Sequence, residues 1–306
     1  MAKEAFKTSV GGQAIIEGIV MKGPEKTCMA VRRPNGEITA EVYDTRKNPL
    51  RKIPILRGAA AMILNLVDGY KSIMRSSDIA FPDGEGDDAL DRFLKKKFGA
   101  RAGETLGVIA AMLGMLLAVL LFILLPTFLT GRLANVVALG GWRSAVEGAF
   151  KIAIFLLYLF AVTRQKDIRR VFEYHGAEHK SIACYEHGEA LAVENVRKYS
   201  RFHPRCGTSF LFIVILISIL VGAFIPFTGT ALRALAKLLL LPLIMGISYK
   251  IIKYAGAHDN ALCRVLSAPG LWIQRLTAFE PDDSMIEVAL TALKAVIPEN
   301  AEEARW

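Results

Sequence analysis

Four stretches of this 306-residue chain are apolar for long enough to cross a bilayer, whose hydrocarbon core takes roughly 20 helical residues. They run from Glu104 to Thr130, Ala145 to Thr163, Ser209 to Thr228 and Arg233 to Ile252. Inside lipid every backbone polar group must be satisfied internally, and runs of this length do so as helices. Hydrophobic residues make up 53% of the chain, far above an ordinary soluble domain, but 22% are charged, so a good part of it faces water. Lys237 sits one turn inside the fourth run and can snorkel to the interface. Glu147 and Lys151 stand i,i+4 near one end of the second and read as an interfacial ion pair rather than a proton relay.

Lysine and arginine are distributed one-sidedly around these runs. Lys95, Lys96, Lys97 and Arg101 precede the first, and the segment from Arg164 to Thr208 is rich in both, from Arg164 and Lys166 to Arg201 and Arg205. Between the first and second runs stand only Arg132 and Arg143, and the TGTA turn before Arg233 has neither. Positive charge stays on the cytoplasmic side, so the expected fold is a mainly α membrane protein. It has four transmembrane helices in two hairpins, with the N and C termini and the central loop cytoplasmic. A small N-terminal α+β cytosolic unit and a cytosolic helical insert complete it.

Along the chain this gives an N-terminal unit at 1–80, an acidic then basic linker at 81–103, a hairpin at 104–163, the insert at 164–208, a second hairpin at 209–252 and a C-terminal helical segment at 253–306. No cleaved signal peptide is expected, because Gln13 and Glu17 interrupt the apolar start. AIIEGIVMKG and TCMAVRRPNGEITAEVYDT have strand content, and Asn35-Gly36 predicts a two-residue hairpin with φ > 0 at both positions. IPILRGAAAMILNLVDGYKSIM reads as an amphipathic or buried helix, not a fifth span, since Arg57, Asn65 and Asp68 cut it. FPDGEGDDALD reads as a solvated linker rather than a calcium loop. Near the end, Ser284 and Glu287 form a capping box ahead of an apolar stripe of Ile286, Leu290 and Leu293. Four cysteines without a CxxC pair fit reduced thiols, and a net charge of +9 suits an anionic lipid surface or nucleic acid.

Within the insert, EYHGAEHKSIACYEHGE at 173–189 sets His175 and His179 four apart around Glu178. This is H-x-x-E-H, the inverted zincin spacing. On a helix, positions i and i+4 lie about 40° and about 6 Å apart, so both imidazoles reach one divalent ion, zinc foremost, with Glu178 at its rim as general base. A catalytic zinc needs a third protein ligand and an open position for water. Glu186 shares the face but lies roughly 10 Å further along the axis, out of reach. RFHPRCGTSF brings His203 and Cys206 together just before the third run and makes them the leading donors. Glu194, Glu17 and the His258-Asp259 pair are the other options. A structural zinc on His175, His179, Cys184 and Cys206 would involve no catalysis, and a plain polar helix face would involve no metal.

GGQAIIEGIVMKG, YHGAEHK, HPRCGTSF and PGLWIQRLTAFEPDD, in that order, closely resemble the YqhQ-like bacterial membrane proteins, an uncharacterised family described as predicted metal-dependent enzymes. The resemblance runs along nearly the whole chain. It implies a multi-pass protein of the bacterial cytoplasmic membrane and points to Gln13, Glu17, His175, Glu178, His179, His203, Arg205 and Cys206. Cys184 is not part of the pattern.

Two functions follow as expectations. The first is a membrane-anchored metal-dependent hydrolase with a cytosol-facing site: His175 and His179 as ligands, His203 or Cys206 as the third, Glu178 as base, and Gln13, Glu17 and Arg205 in support. If the second span stays helical past Thr163, His175 lies about 18 Å beyond it, which favours a substrate at or above the interface, a peptide or a lipid head group. The second is a non-catalytic scaffold or biogenesis factor, whose basic face docks a cytosolic protein or ribonucleoprotein and whose Glu178 ties the insert to Gln13 and Glu17. A transporter is weaker, since no run carries a central ionisable residue.

Overall fold

The computed structural model describes residues 6–46, 56–82, 102–227, 229–258, 260–299 and 304. Residues 83–101 of the expected linker lie outside these, as does Asp259. The chain is mainly helical, with a small four-stranded antiparallel sheet at its N-terminal end. It divides into two compact units, one of Met1–Ala80, Leu159–Ile213 and Met245–Trp306, the other of Phe81–Tyr158 and Val214–Ile244.

In the first unit, β1 (Gly11–Ile15), β2 (Gly18–Lys22), β3 (Lys26–Arg32) and β4 (Ile38–Asp44) pair in sequence order as an antiparallel meander. The β3–β4 hairpin falls where Asn35-Gly36 predicts it, but its turn differs. Gly36 N–H donates to Arg33 C=O at 2.9 Å, Gly36 alone of the pair has positive φ (87°), and Arg33 N–H closes on Glu37 C=O at 2.8 Å. Pro34, with φ preset near −65°, takes the first central position of the turn, so Asn35 keeps a negative φ and only the glycine is left-handed.

The sheet is covered on both faces, so β3 reads as an unbroken buried run from Thr27 to Val31. On one face Met29 and Val31, with Ile15 of β1, pack on Ile79 and Ala80 of α1 (Leu56–Ala80), the helix expected there. On the other, Ile19, Met21, Cys28 and Ala30 meet two helices that arrive much later in the chain. These are α5 (Lys166–Glu186) and α10 (Asp283–Lys294). The Ile286, Leu290 and Leu293 stripe lies in this core, against the sheet and α5. The cap of α10 is Asp282, whose Oδ1 accepts from Met285 N–H at 3.0 Å. Ser284 Oγ donates to that same carboxylate at 2.6 Å, and Glu287 accepts from Arg32 at 2.8 Å, so the predicted capping box does not close.

The apolar runs all become helices: α2 (Ala102–Val119) and α3 (Leu125–Ala134) joined through a π turn at Leu120–Leu124, then α4 (Arg143–Val162), α7 (Gly207–Ala223) and α8 (Thr230–Ala257). The remaining α-helices among the described residues are α6 (Val193–Val196) and α9 (Ala261–Thr277). Among the described residues three helices are long and apolar enough to cross a membrane, Gly107–Ala134, Gly140–Val162 and Thr230–Gly256. The fourth, Gly207–Ala223, has 17 residues. It stops short of the predicted Thr228 because Pro226 lacks an N–H and disfavours helix at Ile225; the last turn tightens to Ile225 N–H donating to Gly222 C=O. Pro126 does not end the first apolar helix: the π turn before it makes room for its ring, and Leu125 keeps helical φ and ψ.

The second unit is held by charge as well as by packing. Glu147, 3% exposed, does not turn to Lys151 as the i,i+4 spacing predicts. It pairs with Arg233 (Nε to Oε2, 3.2 Å) and Lys237, and accepts from Thr127 Oγ1 at 2.7 Å. A buried carboxylate takes the partners that reach it from the neighbouring helices, and Lys151 is left to donate to Ser218 Oγ at 2.9 Å.

Candidate metal centre

Helix α5 is polar in composition, yet from Gly176 to Ile182 every residue is buried. A helix of this kind is stable only if each buried polar group finds a partner. Gly176 makes the fit possible: a Cβ there would run into the Phe279 carbonyl, in a segment whose Phe279 N–H donates to Phe172 C=O at 2.9 Å. Lys180 pairs with Glu280. Glu186 accepts from Thr8 N–H at 2.6 Å and pairs with Arg205.

The two motif histidines are fixed the same way. His175 Nδ1–H donates to Thr277 C=O and His179 Nδ1–H to Arg201 C=O, both at 2.6 Å. Backbone carbonyls only accept, so each bond assigns the proton to Nδ1 and frees Nε2 as the metal-binding nitrogen. His175 Nε2 lies 3.1 Å from Cys206 Sγ, and one donor atom each from His175, His179 and Cys206 fall within 4.8 Å of one another. Zinc–ligand distances of about 2.0 Å to nitrogen and about 2.3 Å to sulfur imply tetrahedral edges of about 3.3 to 3.6 Å, so the three donors already stand near ligand spacing. Cys206 occupies the position before α7, where its Sγ accepts from Thr208 N–H at 3.5 Å. The positive end of that helix favours a thiolate.

The donors also shift one another's protonation, toward a thiolate beside a charged imidazole that an arriving cation would deprotonate. Burial resists ionising Cys206, but the His175 and His179 imidazoles beside it bring the thiol well below its ordinary range. Burial also opposes charging His175, yet the adjacent Cys206 sulfur carries it up to about 9. Glu178, 6% exposed, has its carboxyl pushed up by burial, against the pull of His175 and His179. It accepts a bond from the Gly12 backbone, and its Oε2 has no partner among the described residues. Gly12 lies so close that a Cβ there would sit 2.9 Å from Glu178 Cδ.

The remaining expected residues surround this group. His203 stands next to it, its ring centroid 5.5 Å from that of His179, but Arg205 donates to its Nε2 at 3.3 Å and Glu186 Oε2 lies 3.6 Å away. Burial keeps it neutral by lowering its pKa. Gln274, fully buried, clamps the His203 backbone through two 2.8 Å bonds, one to N–H and one to C=O. Gln13 and Gly12 point to opposite faces of β1, and Gln13 lies against Gly69 of α1. Glu17, in the β1–β2 turn with φ 49°, pairs with Arg170 and accepts from Tyr174 OH at 3.2 Å. Cys184 lies apart in the hydrophobic core, and Glu194 begins α6. His258 bonds the Tyr254 carbonyl of its own helix. Sequence reasoning missed the Thr277 and Arg201 carbonyls, which no side chain marks, and the Gly12 N–H, for which the GGQ motif was the available sign.

A family model described as protein of unknown function (DUF1385) matches residues 53–299. The chain is 34% identical to the uncharacterized protein YqhQ of Bacillus subtilis (strain 168) over 302 residues, 97% of this chain and 95% of that protein. No solved structure matches.

Proposed function

Since the chain belongs to the DUF1385 family, whose description assigns no activity, we propose from the centre itself that it is a membrane-anchored metal-dependent hydrolase, with zinc on His175, His179 and Cys206. The observation that carries this is Glu178. A carboxylate oxygen buried without a partner costs about 1–3 kcal/mol or more, and here it stands in the field of three donor atoms at ligand spacing. A scaffold that used Glu178 as a junction would engage both of its oxygens.

A zinc ion bound there supplies Lewis acidity, activating water and polarising a carbonyl or phosphoryl oxygen. The protein's own residues do the rest. Thr277 and Arg201 hold the imidazoles in the tautomer that presents Nε2, and the Gly12 N–H holds one Glu178 oxygen so that the other is free to take a proton and return it to the leaving group. Arg205, Glu186 and His203 brace the strand of chain that delivers Cys206.

The proposed topology has four spans in two hairpins, with α7 as the shortest at about 25 Å. The N and C termini and the segment holding the centre lie in the cytoplasm, and the protein sits in the bacterial cytoplasmic membrane. Helix α4 ends at Val162 and α5 starts afresh at Lys166, so α5 is not a straight extension of α4. Cys206 directly precedes an apolar helix, which supports a substrate at the interface, a peptide or a lipid head group.

The test is metal content by mass spectrometry on protein purified in detergent. Near-stoichiometric zinc, retained by Glu178→Gln and lost by His175→Ala, is expected. Metal-free wild type that stays metal-free when zinc is supplied would overturn the reading.

A further inference from the structure

The second unit carries a separate arrangement of buried charge. Arg233, 3% exposed, is balanced by Glu147 and by the C-terminal carbonyls of α7, donating to Gly222 C=O at 2.9 Å and Ile225 C=O at 3.1 Å. Lys237 shares the same Glu147 carboxylate and donates to Thr127 Oγ1 at 3.2 Å. Lys151, 8% exposed, has one bond among the described residues, to Ser218 Oγ, although an ammonium has three protons to donate. Among the described residues these three buried cations stand against one carboxylate. Uncompensated cations among apolar helices are costly and mark functional sites.

The surplus is not spread at random. Lys151, Lys237, Ser144 and Ser218 line one small cavity together with the Glu147 carboxylate, which Arg233 and Lys237 already neutralise, and Gly222 leaves its wall bare. Two ammonium groups and the Ser144 hydroxyl converging on one space supply donors for a ligand with several negatively charged oxygens, while Ser218 Oγ, whose own proton goes to Ile215 C=O at 2.7 Å, accepts from Lys151 and positions it. Glu147 and Arg233 lie one turn from the starts of α4 and α8, and Lys151 one turn deeper. In the proposed topology these are the extracytoplasmic ends, near the level of lipid phosphates; that depth rests on the topology, whereas the site does not.

We propose that this cavity binds a phosphate group, through Lys151, Lys237 and Ser144 with Ser218 positioning Lys151, and with an anionic lipid or a free phosphate as its source. The site is independent of the metal centre and of any reaction there.

Thermal unfolding of the full-length protein in detergent tests it, titrated separately with dioleoylphosphatidic acid, dioleoylphosphatidylcholine and inorganic phosphate. Stabilisation that saturates with phosphatidic acid but not phosphatidylcholine supports the site with a lipid source, and saturation by inorganic phosphate alone supports it with a soluble one. In either case Lys151→Met, which keeps the aliphatic stem and breaks one bond, weakens the effect roughly tenfold or more, and Ser218→Ala weakens it less. No stabilisation by either phosphate, equal stabilisation by phosphatidylcholine, or a response unchanged in both variants overturns the proposal.

Discussion

At the scale of residues, the contact between Gly12 and Glu178 is the one where a single added methyl should matter most. In Gly12→Ala the new Cβ would stand 2.8 Å from the Val20 carbonyl and 2.9 Å from Glu178 Cδ, so the carboxylate has to move. A loss of about 1–3 kcal/mol is expected, with the proposed zinc retained, measured by thermal unfolding and metal content together. Glu186 provides a pH signature. Burial works against its charge, but His203 and Arg205 beside it and the bond from Thr8 N–H hold its pKa below 4.5, so its stabilising effect is complete above pH 4.5 and fades as pH falls through the lower folded value. Glu186→Gln, which leaves Arg205 buried beside a neutral amide, should cost about 3 kcal/mol at pH 7 and progressively less in acid, read from denaturant midpoints across pH. The side chains of the centre could be picked out beforehand because helical spacing dictates which histidines can meet. Their orientation could not, because it is set by the carbonyls of Thr277 and Arg201, and every residue has a carbonyl.

At the scale of elements, the apolar runs and the β hairpin announce themselves through length and turn chemistry, whereas their ends depend on local competition. Proline at 226 shortens α7 below its apolar run, and Pro34 converts an expected two-residue turn into one with a single left-handed glycine. The start of α10 shows the same competition: Ser284 has the right spacing for a cap, but Asp282 gets there first with a charged acceptor. Asp282→Ala should therefore cost about 1 kcal/mol and Ser284→Ala only a few tenths, a ranking that urea unfolding can check. Buried all round from Gly176 to Ile182, this part of α5 could not be told from a solvated polar helix by composition, since its partners at Glu280, Thr277 and Arg201 lie far along the chain or in its backbone.

At the scale of the molecule, the distribution of lysine and arginine leads to a definite expectation: reporters fused after Arg101, within 164–208 and after Trp306 should all register cytoplasm. A periplasmic signal from the middle fusion would put the proposed metal centre in another compartment. The first unit draws on three separated stretches of chain, and this has a consequence for how the protein is made. The sheet leaves the ribosome first, yet one of its faces is closed by Ile286, Leu290 and Leu293 of α10, and Thr8 Oγ1 donates to the carbonyl of Ala304 at 3.0 Å. At about 5–20 residues per second, the strands wait on the order of tens of seconds with an apolar face bare while the apolar helices are inserted. Synthesis halted before α10 would therefore leave a hairpin sheet with one apolar face bare and prone to aggregate.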